Sequence, residues 1–187
     1  MLRSNSNNDY PQIDKSSYID PTAILIGKVR IGKNVFVAPG AVIRADEPNT
    51  AILINDNCNI QDRVVIHALG GSSVRIDKGS SLSHGCIVHG PCIIGQECFI
   101  GFGSVIFKAV LADKVFVGHL AVVEGVTVPE RRFIPSGTTI NHKNKTKVLK
   151  MISQEQERFI QQVIDANMCL NASSGRLKQY AKKIVTK

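Results

Sequence analysis

The chain has 187 residues, 43% of them hydrophobic, with no Trp and a formal charge of +8. That length suits one domain with an appendage, and no apolar run approaches transmembrane length. The opening MLRSNSNNDY lacks the apolar stretch of a secretory leader, so the expected location is cytoplasmic, with no membrane partner.

Residues 1–12 are polar and are expected to be disordered or loosely docked. A six-residue repeat begins near Ile19 and runs through LIGKVR, IGKNVF, VAPGAV and IRADEP, opened by Leu25, Ile31, Val37 and Ile43. Pro48-Asn49-Thr50 marks a loop, and the repeat resumes at Ile54, Ile60 and Ile66. The next opener, Ile76, comes ten residues later instead of six, which places a four-residue insertion at 70–73. From Ile76 to Val105 the blocks are unbroken: IDKGSS, LSHGCI, VHGPCI, IGQECF, IGFGSV. The register slips once near Lys108-Ala109, recovers at Leu111, Val117 and Val123, and ends in VPERRFIPSG. An aliphatic residue opens each block and a small residue stands four places on. This is neither helix period nor strand alternation; it is the hexapeptide pattern of a left-handed parallel β-helix over residues 13–140, three blocks to a coil.

Residues 141–187 carry 10 Lys and Arg against 3 Asp and Glu, whereas residues 1–140 carry 13 against 12. The basicity therefore belongs to the tail, whose period is helical. Ser153 with Gln156 and Glu157 resembles a capping box. Phe159, Ile160, Val163, Ile164, Asn167 and Met168 make one face, and after Gly175 the set Leu177, Tyr180, Ala181, Ile184 and Val185 makes a second. A helix packing back along the coil and capping its open end is the expectation. The lysines have no interleaved aromatics and no recognised motif, so nucleic acid is not an expected partner. Cys58, Cys86, Cys92 and Cys98 fall at the small fifth position, where a buried thiol acts as a compact hydrophobe rather than a ligand. Cys169 belongs to the tail helix.

Residues one coil apart stack about 4.8 Å apart. With sides A, B and C named in chain order, and the loops allowed for, the residue after each opener points outward. Side C then carries Arg44, His67 and His89 in one column, and the insertion at 70–73 is what sets His89 over His67. Side B carries Gln61, and one place further Asp62 and His84. His84 is round a corner from the other two histidines. One chain does not close a three-histidine site, but a homotrimer does if side C of one copy faces side B of the next, and the same packing opposes Arg44 and Asp62. Three imidazoles with no thiolate and one open position describe catalytic Zn2+; Fe2+ or Co2+ accept the same donors. The open position would hold a water made acidic enough to ionise near neutral pH. His119 and His142 are not read as ligands.

At these residues the sequence resembles the gamma class of carbonic anhydrases. The matching stretches are IRADE (43–47), NIQDRVVIHAL (59–69), LSHGCIVHG (82–90), FIGFGSVIFK (99–108) and GVTVPERRFIPSG (125–137). The resemblance implies a homotrimer with three interface sites that hydrate CO2 reversibly to bicarbonate and a proton. It implies His67, His84 and His89 as metal ligands, Arg44 and Asp62 as an intersubunit pair, and Gln61 on the metal-bound solvent. It also implies Glu47 as the carboxylate that passes protons and, through VIDANMCL (163–170), Asn167 at the substrate pocket. Two departures stand out. Ala68-Leu69-Gly70-Gly71 occupies the place of the glutamate-bearing loop that archaeal members use as an external proton shuttle, and Asp165 stands where the family helix can carry a tyrosine. Two other readings remain open. One is a hexapeptide acyltransferase using a single histidine as general base. The other is a gamma-class-like trimer that binds metal for structure or docks in a larger assembly with little or no turnover.

Overall fold

The computed structural model describes residues 1–185, with the side chains of 1–166, 168–171 and 173. Short parallel strands stack into a three-sided solenoid of about seven turns, one eight-stranded sheet and two seven-stranded sheets forming its sides. Side C is the eight-stranded sheet, running from Leu2–Arg3 to Thr139–Ile140, and side B runs from Tyr18–Ile19 to Phe133–Ile134. Every strand pair is parallel, so each coil hands its backbone hydrogen bonds to the coils above and below.

The core follows from the repeat. Ile43, Ile66, Val88 and Ile106 stack inward on side C, and Ile60, Leu82, Ile100 and Val117 on side B, all fully buried. Each fully buried side chain of this kind contributes on the order of 1.5–3 kcal/mol. The small fifth positions sit at the corners. Ser80 Oγ donates to the Gly95 carbonyl at 2.6 Å and accepts the Cys98 amide at 2.9 Å. Ser104 does the same between Gly118 and Ala121. Corners also explain a glycine: a Cβ on Gly101 would lie 2.6 Å from the Gly118 backbone of the next coil.

The N-terminal segment departs from expectation. Leu2–Arg3 pairs with Leu25–Ile26 as the first strand of side C, and Gln12–Ile13 pairs with Arg30–Ile31. Asn5 organises the turn between them, its Oδ1 accepting the amides of Asn7 and Asp9. Two-residue strands are too short for hydropathy to record this pairing, and the gain comes from backbone bonds to an open sheet edge.

The tail also differs. A short helix α1 spans Lys143–Lys147, and the next helix α2 runs unbroken from Gln154 to Val185, through Gly175. The capping box at its start is present, with Ser153 N–H to Gln156 Oε1 at 2.8 Å and Gln156 N–H to Ser153 Oγ at 3.2 Å. As expected, α2 packs back along the coil, on side B, but it leaves the coil end to other residues. Phe159 meets Phe99 and Phe116, and Asn171, further along, donates to the Ser16 carbonyl near the opposite end. The last coil is covered by the segment between the helices: Leu149 joins the core, and Phe133 and Arg132 bond to the carbonyls of Lys150 and Leu149. The proposed second face from Leu177 to Val185 lies outside the described side chains.

Burial pushes the thiols of Cys58, Cys86 and Cys98 up to about 12 and raises that of Cys92, so all four are neutral at physiological pH. Cys169 is exposed. A thiol reagent should therefore titrate one cysteine per native chain and all five after denaturation. Rapid native labelling of more than one would contradict this packing. Replacing Cys98 by Ala should lower stability by about 1 kcal/mol, measured by denaturant unfolding.

Candidate functional site

The strands Val42–Ala45, Val65–His67 and Ile87–His89 pair in register, so Ile43, Ile66 and Val88 face inward while Arg44, His67 and His89 face outward in one column. The column expected from the repeat is present. His67 Nδ1 and His89 Nε2 are 3.0 Å apart, with the rings edge-on at 79°. The loop after His67 makes this stacking possible. It closes on its own bonds, Gly71 N–H to the Pro48 carbonyl and Ser72 N–H to the Leu69 carbonyl, both at 2.9 Å.

Two carboxylates attend His67. Glu47 Oε1 lies 3.2 Å from His67 Nε2, while its Oε2 accepts the Gly70 amide at 2.6 Å. Asp46 Oδ2 accepts from Arg44, and its Oδ1 is 3.6 Å from His67 Nε2, buried without a hydrogen bond. Neither contact gives His67 Nε2 a hydrogen bond, and that nitrogen is also buried. Burial holds the His67 pKa below its ordinary value, helped by the Arg44 and His89 charges and opposed by Glu47 and Asp46. The neutral form, which keeps a lone pair for a metal, is thus favoured.

On side B, His84 Nδ1 is 2.7 Å from Asp62 Oδ2, and the His84 ring leans on Phe102 with centroids 5.4 Å apart. Beneath α2, a groove of about 380 Å³ is lined by Phe36, Asn59, Gln61, Asp62 and His84 on the coil and by Val163, Ala166 and Leu170 on the helix. Gln61 Oε1 and both amide atoms of Asn59 are buried there with no partner among the described residues. Asn167 lies on α2 between Ala166 and Leu170, with its side chain outside the described residues.

Residues 10–45 match the family described as bacterial transferase hexapeptide, six repeats. The chain is 37% identical over 171 residues to the carboxysome assembly protein CcmM of Nostoc, covering 86% of this chain and 31% of that one. It is 34% identical over 164 residues to a carbonic anhydrase of Methanosarcina thermophila, covering 78% and 66% respectively. A mitochondrial gamma carbonic anhydrase of Arabidopsis thaliana is 29% identical over 158 residues, covering 81% and 54%. The chain belongs to the gamma-class carbonic anhydrase family. It spans about a third of the first of these relatives and two thirds or less of the others.

One chain brings together only part of the expected gamma-class site, in line with the coil register. His67 and His89 meet, with Glu47 beside them, and His84 stands on the adjacent side. Among the described residues, no group of three or more His, Cys, Asp or Glu side chains within the chain is placed to hold a metal. Arg44 and Asp62 do not meet either: each holds a local partner, Asp46 and His84. The donor chemistry nevertheless fits a divalent ion. Two nitrogens bound at 2.0–2.1 Å to one tetrahedral ion stand about 3.3 Å apart, close to the 3.0 Å between His67 Nδ1 and His89 Nε2. With Nδ1 as the metal donor, His67 Nε2 carries the ring proton and faces Glu47 Oε1 at 3.2 Å. His119 and His142 are engaged elsewhere, with Nδ1 accepting the amides of Phe102 and Asn144.

Two residues escaped the sequence reading. Asp46 was hidden because its orientation depends on Arg44. Asn59 had a legible signal: in the column Phe36, Asn59, Ser81, Phe99, Phe116, Phe133 it interrupts a run of aromatics. Leaving a buried amide unpaired costs about 1–3 kcal/mol. Asn59→Leu should therefore keep or raise the thermal midpoint; a fall of more than about 1 kcal/mol would show that the amide is already satisfied.

Proposed function

We propose that the protein is a homotrimeric gamma-class carbonic anhydrase, converting CO2 and water reversibly to bicarbonate and a proton at three sites between copies. The observation that carries this reading is the division of the histidines. His67 and His89 converge on side C, and His84 is oriented by Asp62 on side B, so the set is complete only when side C meets side B of another copy. The exterior of side C supports such contact: beside the histidine column, Val42, Val65, Ile87, Val105 and Val122 form a continuous outward aliphatic stripe. Brought together, His67, His84 and His89 would hold Zn2+, or equally Fe2+ or Co2+. When bound, such an ion supplies Lewis acidity that lets water ionise near neutral pH.

The chain's own groups account for the remaining needs. His67 is kept neutral by burial. The unpaired Gln61 Oε1 is an acceptor for a hydroxyl proton on solvent or bicarbonate, and Asn167 is the proposed helix contribution. Glu47 is the carboxylate beside the column, and in place of an external shuttle residue Gly70 offers only its amide. Glu47 is proposed to pass the proton to buffer directly. Arg44, freed from Asp46, would pair with Asp62 of the next copy. Among the described residues no helix is long and apolar enough to cross a membrane, and a cytoplasmic location fits this reading.

One observation favours a second reading, a metal-binding trimer with weak turnover: Glu47 is tied to Gly70, so its relay needs the 2.6 Å bond to open. Stopped-flow CO2 hydration by zinc- and iron-reconstituted protein separates the two. Turnover well above the buffer rate supports the enzyme, and stoichiometric metal without turnover supports the weak form. An acyltransferase, by contrast, would show neither metal dependence nor hydration.

Light scattering should give a particle of about three times 20.4 kDa; a metal-loaded monomer at micromolar concentration would overturn the shared site. Arg44→Ala should weaken the trimer and lower metal content together, since it strips the contact that brings His84 in. If it stays trimeric and fully loaded, the Arg44–Asp62 pairing is wrong. Glu47→Gln should lower kcat on the order of 10²-fold with far less effect on kcat/KM, because the proton leaves after the CO2 step. Imidazole buffer should restore part of the loss, and equal activity in variant and parent would remove Glu47 from the relay.

A further inference from the structure

The histidine columns continue beyond the site. On side B, Asp62, His84, Phe102 and His119 form a ladder. Asp62 contacts His84 at 2.7 Å, His84 leans on Phe102, and Phe102 stacks on His119 with centroids 4.3 Å apart at 17°. On side C, Arg44, His67, His89, Phe107 and Glu124 share one register. The ladders keep a constant offset, since His67, His89, Phe107 and Glu124 each follow their side-B counterpart by five residues. A rotation that seats His84 between His67 and His89 of a neighbouring copy therefore acts at every rung. Asp62 meets Arg44, Phe102 comes against the His89–Phe107 pair, and His119 arrives level with the step from Phe107 to Glu124.

Each rung then finds a complementary partner. Phe102 is 45% exposed in the single chain, a large aromatic surface with nothing of its own to cover it outward. His119 Nδ1 accepts the Phe102 amide at 3.0 Å, which assigns the ring proton to Nε2 and makes that atom a donor. Glu124 ends its strand exposed and forms no ion pair among the described residues. We propose that His119 Nε2–H donates to Glu124 of a neighbouring copy, with Phe102 laid against the outer edge of the His89–Phe107 pair, whose rings already meet edge-on with centroids 5.4 Å apart, as a register lock above the metal site. The occupant of this face is a second copy of the chain, and the inference rests on the trimeric reading.

The test is the concentration at which the trimer dissociates, followed by sedimentation on dilution. Glu124 is an exposed strand end without an ion-pair partner among the described residues, so Glu124→Lys leaves the single-chain fold intact while setting an ammonium beside His119. It should raise the dissociation concentration at least about ten-fold, as expected when an interface acceptor is lost and two donors oppose each other. His119→Glu should weaken the trimer similarly, by opposing two carboxylates. The double variant His119→Glu, Glu124→Lys restores complementary charge with the donor and acceptor exchanged, and should recover most of the loss. A trimeric parent that is indifferent to Glu124→Lys, or a double variant no better than the weaker single, overturns the lock while the trimer stands. A parent that is monomeric at tens of micromolar removes the trimeric reading itself.

Discussion

The structure depends on one constraint: in a parallel coil, which residues lie side by side is set by counting, and only loops alter the count. An unbroken repeat would place a residue 18 positions on above His67, which is Gly85. The loop of residues 68–72 adds four and brings His89 there instead. The loop is held by its own turn bonds and by Glu47, whose carboxylate accepts Gly70 N–H. The His67–His89 pair is thus a consequence of loop length. The loop of residues 68–72 acts first as a spacer.

Around that pair, charge and burial are arranged against each other. Burial and the neighbouring Arg44 favour neutral His67, while Glu47 and Asp46 favour the cation. The first effect is the larger, and the imidazole keeps its lone pair. Asp46 also restrains Arg44 within its own chain, so the proposed intersubunit pair forms by exchange of one carboxylate for another. The net gain of such an exchange is small, because both states keep the guanidinium paired. The pair therefore adds little when it forms, whereas removing Arg44 would leave Asp62 of the next copy at the seam without its counter-charge, which is why its loss is expected to weaken the assembly.

The sequence was informative wherever one residue type was required at a counted position. The inward aliphatics, the small corner residues and the Arg44–His67–His89 column follow from the period, and the structure reproduces them. It was uninformative where backbone bonds or side-chain rotation decide. The strand Leu2–Arg3 is stabilised by an open sheet edge, which no hydropathy pattern records. The path of α2 along side B is set by Phe159 finding Phe99 and Phe116, an aromatic match between segments far apart in the chain. The bond between Glu47 and Gly70 was hidden because a glycine offers only its amide, which has no signature in composition.

A site shared between ladders also has a discrete failure mode. Neighbouring copies sliding along the solenoid axis do not shift continuously; they pass through positions one rung, about 4.8 Å, apart. In the position one rung higher, His84 would face His89 and Phe107, Asp62 would sit between His67 and His89, and Arg44 would lose its counterpart. His119 would pass beyond Glu124 to the coil end. The aliphatic stripe from Val42 to Val122 cannot prevent this slip, because its residues are nearly equivalent from rung to rung. Slipped by one rung at each interface, three copies would no longer close into a ring but would begin an open helix. The choice between ring and open chain therefore falls to closure itself and to positions where successive rungs differ, which on side C are Arg44, the two histidines, Phe107 and Glu124. In the proposed trimer the polar and aromatic members of the ladder thus fix one register among several that apolar burial alone would leave nearly degenerate, the one in which His84 would join His67 and His89.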